Sequence, residues 1–111
     1  LLIFDVNTPH KHREVLGGNA FVFEEDDFLC VWRNRLEERS GIVDMQLDFF
    51  VDNGGSYRRL TDTVRERAYS RRTWEKLLEE TGFGVEAVYG EDMLSPPAPQ
   101  EERWVFVARR I

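Results

Sequence analysis

Ser70-Arg71-Arg72-Thr73-Trp74-Glu75-Lys76-Leu77-Leu78-Glu79-Glu80-Thr81-Gly82-Phe83-Gly84-Val85-Glu86-Ala87-Val88-Tyr89-Gly90 is the most legible stretch of the chain. Ser70 is an N-cap residue, whose hydroxyl can accept from an amide that the first helical turn leaves unpaired. Trp74, Leu77 and Leu78 then recur at helical spacing and make one apolar stripe. Thr81-Gly82 stops the helix, because glycine takes the left-handed conformation there without a Cβ penalty. Phe83–Tyr89 follows as a strand.

Toward the carboxyl end, Ser95-Pro96-Pro97-Ala98-Pro99 reads as an extended loop. Arg103–Arg110 is a terminal strand with Trp104, Phe106 and Ala108 on one face. Toward the amino end, residues 20–69 consist of β-type runs broken at Glu25-Asp26-Asp27, at residues 38–41 and at Asp52-Asn53-Gly54-Gly55. This pattern predicts an antiparallel meander of about four strands. Its clearest strand turns Val43, Met45, Leu47 and Phe49 to a core, while Asp44, Gln46 and Asp48 face water or a polar cavity. Residues 57–69 are polar on both faces, so that strand is an edge or a lining. At the start, Leu1-Leu2-Ile3-Phe4-Asp5-Val6 is a short apolar run closed by Asn7-Thr8-Pro9, predicted as a strand buried on both faces of a parallel sheet. Thr8 and Pro9 open a short helix, about residues 9–16, which Gly17-Gly18 ends.

Composition narrows the classes of function. The 111 residues carry 15 basic against 21 acidic side chains and a net charge of -6, which opposes the phosphate attraction behind most nucleic-acid affinity. No apolar stretch approaches the roughly 20 residues of a membrane span. Neither a nucleic-acid nor a membrane partner is expected. Cys30 is the single cysteine, so no internal disulfide forms and a reducing cytoplasm is the expected setting. It reads as a small buried hydrophobe, with no basic activator beside it.

Candidate site residues follow from position. In open α/β sheets ligands gather beyond the carboxyl ends of strands, so Asp5, Asn7 and Thr8 are placed to orient a substrate amine or hydroxyl. The same three residues also serve simply to end a strand and cap a helix. Trp32, between Val31 and Arg33, reads as a pocket wall, whereas Trp74 and Trp104 read as core. Arg67 and Tyr69 could bind a carboxylate or position an acceptor, or Tyr69 could pack its ring. His10 and His12 lie two apart, face different directions on a helix, and are read as solvated rather than as metal ligands. The acidic runs at residues 24–27 and 37–38 read as hairpin turns and solvated faces.

Three stretches together, "LLIFDVNTP", "RAYSRRTWEKLLEETGFGVEAVYG" and "ERWVFVARR", resemble the carboxyl-terminal part of class I S-adenosylmethionine-dependent methyltransferases. The resemblance implies an α+β fold: an antiparallel β meander with two helices, plus remnant strands of a Rossmann-like methyltransferase sheet. Residues 1–19 and 70–111 would supply that sheet and its helices, and residues 20–69 a β-rich insertion forming a substrate lid. The family's pattern Glu-x-His-x-Gln-Arg-x-Tyr is matched by Arg67 and Tyr69 but has Val64 where the histidine stands. A glycine-rich turn between a first strand and a helix, where the family holds its cofactor, has no counterpart here. S-adenosylmethionine is therefore implied for the parent enzyme and not for this chain alone, which is expected to be a fragment inactive by itself. An opening strand with an unpaired edge implies a homodimer through exposed strand edges. The competing expectation is a non-enzymatic β-rich module that binds a ligand or assembles with a partner.

Overall fold

The computed structural model describes residues 1–111. In chain order the elements are β1 (Leu2–Asn7), a π-helical turn (Lys11–Leu16), β2 (Ala20–Glu24), β3 (Phe28–Leu36), β4 (Val43–Asp52), β5 (Tyr57–Glu66), α1 (Arg71–Glu80), β6 (Phe83–Tyr89) and β7 (Arg103–Arg110). The fold is α+β, with antiparallel pairing between all neighbouring strands. No helix is long and apolar enough to cross a membrane. Two compact units divide the chain, residues 1–12 with 68–111 and residues 13–67.

In the first unit β7 lies between β1 and β6 and runs antiparallel to both, so β1 and β6 run parallel to each other. Leu2, Phe4 and Val6 alternate onto one face and pack against Leu78, Val88, Phe106 and Ala108. The Phe4 ring stacks on Phe106 at 5.3 Å between centroids and tilts against Trp74 at 5.5 Å. Helix α1 begins as its sequence predicts: Ser70 is extended, and its hydroxyl accepts from the Thr73 amide at 3.2 Å. Thr81 then closes the helix, its amide and hydroxyl both bonded to carbonyls of the last turn.

Two expectations are corrected in this unit. Within these 111 residues the opening strand is not buried on both faces: β7 is the one strand paired with β1 and is antiparallel to it, and Ile3 is 55% exposed. Alternation sends Leu1, Ile3 and Asp5 to the face opposite Phe4, where no element of this chain covers them. His12 is not solvated but fully buried, while His10 is half-buried. Thr8, His12 and Leu16, all buried, are spaced by four and so share one face of the helical segment.

The second unit is the meander, in the sheet order β2-β3-β4-β5. Leu16, Val43 and Met45 form its buried cluster, and Phe21, Trp32, Leu36 and Leu47 pack around them on one face. Along β5 every residue from Tyr57 to Arg65 is exposed, which makes it the edge that its two-sided polarity foreshadows. The β3–β4 turn is held from the helical side: Arg13 Nη1 donates to the Glu38 carbonyl at 2.9 Å. Gly41 there has φ of +75°, a left-handed backbone that favours glycine, and a Cβ would stand 3.1 Å from the mobile end of Arg13.

Candidate functional site

At the carboxyl end of β1 the predicted residues are held by structure, and exposure falls from Asp5 through half-buried Asn7 to buried Thr8. Asp5 is exposed and pairs with Arg103 at 2.8 Å across the β1–β7 ladder, and Asn7 stands opposite Arg103 in register. Thr8 is buried, its hydroxyl donating to the Glu101 carbonyl at 2.6 Å and accepting from the Lys11 amide at 3.1 Å. It is the N-cap of the following helical turn. Lys11 in turn pairs with Glu102 at 2.7 Å, which holds the Glu102 carboxyl below its usual range. Tyr69 is half-buried and sets its ring edge-on to Trp74 at 5.6 Å between centroids.

Trp32 and Arg67 belong to the meander unit. Trp32 lies on the apolar face against Phe21 at 5.1 Å and Phe23 at 6.4 Å, with its indole N–H buried and without a protein acceptor. The indole N–H of Trp74 in the first unit is buried without an acceptor in the same way. Arg67 is exposed just beyond β5.

The densest polar arrangement lies on the opposite face of the meander, where sequence reasoning marked Asp44, Gln46 and Asp48 as polar but assigned them no role. Asp48 is 3% exposed and accepts from Arg33 Nη2 at 2.9 Å, Arg59 Nε at 3.2 Å and Nη2 at 3.0 Å, Gln46 Nε2 at 3.1 Å and Thr61 Oγ1 at 2.6 Å. The Thr61 hydroxyl bond does most to hold the Asp48 carboxyl well below the usual carboxylate range; burial pushes the other way, and Arg59, Gln46 and Arg33 add to the lowering. Thr61 is the direct cross-strand partner of Asp48, while Arg33 and Arg59 are its diagonal neighbours on β3 and β5. Opposed alternation of Asp44, Gln46, Asp48 with Arg59, Thr61, Thr63 and Arg65 was the available signal, but it needs the strand register to become a site.

No family model matches the chain. It is 31% identical over 112 aligned positions to YqeM of Bacillus subtilis (strain 168), a protein assigned provisionally as a methyltransferase; the match takes in 99% of this chain and 44% of that protein. The crystal structure of an S-adenosylmethionine-dependent methyltransferase from Clostridium acetobutylicum ATCC 824 shares 29% identity and a TM-score of 0.85 over 97% of this chain and 43% of its own. The chain matches a segment of S-adenosylmethionine-dependent methyltransferases. The CcbJ methyltransferase of Streptomyces caelestis has the same fold at 13% identity, with a TM-score of 0.74 over 97% of this chain and 42% of its own. This chain thus spans less than half the length of the methyltransferases it matches.

The two glycine pairs of this chain do not fit a cofactor cradle. Gly54-Gly55 turns β4 back into β5, with the Gly54 amide bonded to Asp52 at 3.0 Å, and Gly17-Gly18 leads from a helical turn into β2. Neither runs from a strand into a helix, the geometry that aims amides at a ligand.

Proposed function

We propose that this chain is the carboxyl-terminal, substrate-side part of an S-adenosylmethionine-dependent methyltransferase acting on a small molecule, with the cofactor-binding half carried by sequence outside these residues. The observation that carries the reading is the 29% identity and TM-score of 0.85 to the Clostridium methyltransferase over 97% of this chain. On this reading β1, β6 and β7 are strands of a Rossmann-like sheet, and residues 20–69 are a β-rich lid over the substrate. The parallel relation of β1 and β6, with β7 inserted between them, supports the first assignment.

Bound S-adenosylmethionine would supply a methyl group on a sulfonium, open to in-line displacement. The protein's share in such a reaction is alignment and exclusion of water. Asp5 and Asn7 at the end of β1 would orient the acceptor, and Thr8 would fix the turn that carries them. Trp32 would give an aromatic wall, while Arg67 and Tyr69 would contribute at the junction between β5 and α1.

Calorimetric titration of S-adenosylmethionine into the 111-residue chain tests the proposal. No stoichiometric heat is expected; tight one-to-one binding would overturn the assignment of the cofactor to another part of the parent. The edge position of β1, with Ile3 exposed, supports a homodimer through strand edges, and a monomer in sedimentation at high concentration argues against it. Phe23, Leu60 and Val64 are exposed on the meander. They favour a second reading, a β-rich ligand-binding or assembly module without catalysis. The sequence encoded upstream of Leu1 decides between the two: a strand followed by a glycine-rich turn and a helix supports the enzyme, and an unrelated domain supports the module.

A further inference from the structure

On the polar face of the meander, three cross-strand rows run over β3, β4 and β5: Arg33–Gln46–Thr63, Asn34–Met45–Val64 and Arg35–Asp44–Arg65. Alternation raises the side chains of the outer rows and leaves the middle row to offer its backbone as a floor. Between them lies a groove of about 510 Å³. Its walls carry three guanidinium groups, Arg33, Arg35 and Arg65, against one carboxylate, Asp44. Asp48 and Glu37, just outside this lining, pair with Arg33 and Arg65, which leaves Arg35 as the uncompensated charge of the groove.

The arginines differ in how they are held. Arg33 is tied from below by buried Asp48 at 2.9 Å through Nη2 alone, leaving Nε and Nη1 to donate elsewhere. Arg65 is braced by Glu37 at 3.2 Å and Asp44 at 3.8 Å. Arg35 takes part in none of the ion pairs of the chain and is exposed. Two guanidinium groups held in place by carboxylates, each with donors left over, and one unengaged cation on a common face suit the charge-assisted contacts by which arginine holds carboxylate and phosphate. Thr63 and Gln46 add neutral donors between them.

We propose that this groove binds an oxyanion carried by a small molecule, with Arg33, Arg35 and Arg65 as its contacts and Asp48 as the positioning residue that aims Arg33. The proposal goes beyond methyl transfer and does not rest on it. Asp48 separates positioning from net charge. If the site worked by charge alone, Asp48→Asn would remove a negative charge and tighten binding. If Asp48 aims Arg33, the same change frees the guanidinium and weakens binding.

The experiment follows the arginine Nε resonances of the ¹⁵N-labelled chain during titration with inorganic phosphate, and separately with acetate, at constant ionic strength set by chloride. Saturable shifts at Arg33, Arg35 and Arg65 are expected. Saturation with phosphate alone assigns the site to phosphate-bearing molecules, and with acetate alone to carboxylates; both support the proposal. Arg35→Gln is expected to weaken binding by about tenfold, the loss of one charge-assisted contact, with the amide spectrum retained. Asp48→Asn is expected to weaken it too. Shifts that stay linear and equal those of chloride would overturn the proposal, as would an unchanged midpoint in Arg35→Gln or tighter binding in Asp48→Asn. Should Asp48→Asn fail to fold, Arg35→Gln and Arg65→Gln, both at exposed positions, decide the matter.

Discussion

The two units hold their sheets by different means. In the first, Phe4, Trp74 and Phe106 interlock over one face of β1, β6 and β7, and Phe106 and Ala108 are fully buried. In the second, a modest apolar cluster occupies one face, and a dense set of hydrogen bonds lies on the other, around the carboxylate of Asp48. A sheet with one thin apolar layer is the less stable architecture by itself. The difference teaches that the meander depends on a charged hub where the first unit depends on ring packing, so the two units should respond to different perturbations.

The largest effect is expected from Phe106→Ala, which opens a cavity under Phe4 and Trp74. A loss of about 3–5 kcal/mol should appear in denaturant melts, with amide protection falling first along β7. Protection in β3 and β4 that fell equally would break the comparison. Next comes Asp48→Leu, which removes every hydrogen bond of the hub at once. Amides of β5 should then exchange faster while those of β7 keep their protection, and uniform loss across both sheets would count against a local hub.

Acid distinguishes the units in the same sense. Asp48 is held below its ordinary value, about 3.9 in unfolded chains, so its contribution is complete above that pH and is lost as pH falls through its lower, folded-state value. Acid unfolding followed by exchange should therefore release β5 before β7. Asp48→Leu should flatten the acid sensitivity of the meander. Smaller effects close the series. Ser70→Ala should cost about 1 kcal/mol through the lost cap of α1, and Arg65→Ala, at a salt bridge open to solvent, well under about 1 kcal/mol. A larger loss for Arg65→Ala than for Asp48→Leu would mean that surface pairs carry more of the meander than the hub does.

Much of this architecture was legible in local patterns. Alternation placed β4, the serine cap and the glycine stop delimited α1, and the two-sided polarity of residues 57–69 marked β5 as an edge or lining. Local pattern failed where a residue's environment is set by distant chain. The run at residues 1–6 is apolar enough to suit either one or two buried faces, and only pairing with β7 shows that Ile3 faces out. His12 looked like a polar helix residue because nothing nearby in sequence announces what buries it. The hub around Asp48 was half visible: the acidic face of β4 was evident, but Arg33 and Arg59 become its partners only through the register of β3 and β5.

Val43 is bordered by both ends of the meander, since Leu16 packs in its cluster and Glu66 is its partner in the β4–β5 ladder. Every strand pairing of that region is between sequence neighbours, whereas β1 and β7 come from opposite ends of the chain. Hairpins close in microseconds, and remote pairings are slowed by the entropy of closing the intervening loop. A meander that forms first therefore pins the two ends of its own segment together at one valine. It shortens the search that the terminal strands must make, and Val43→Ala should slow the pairing of β1 with β7 even though neither strand contains the altered residue.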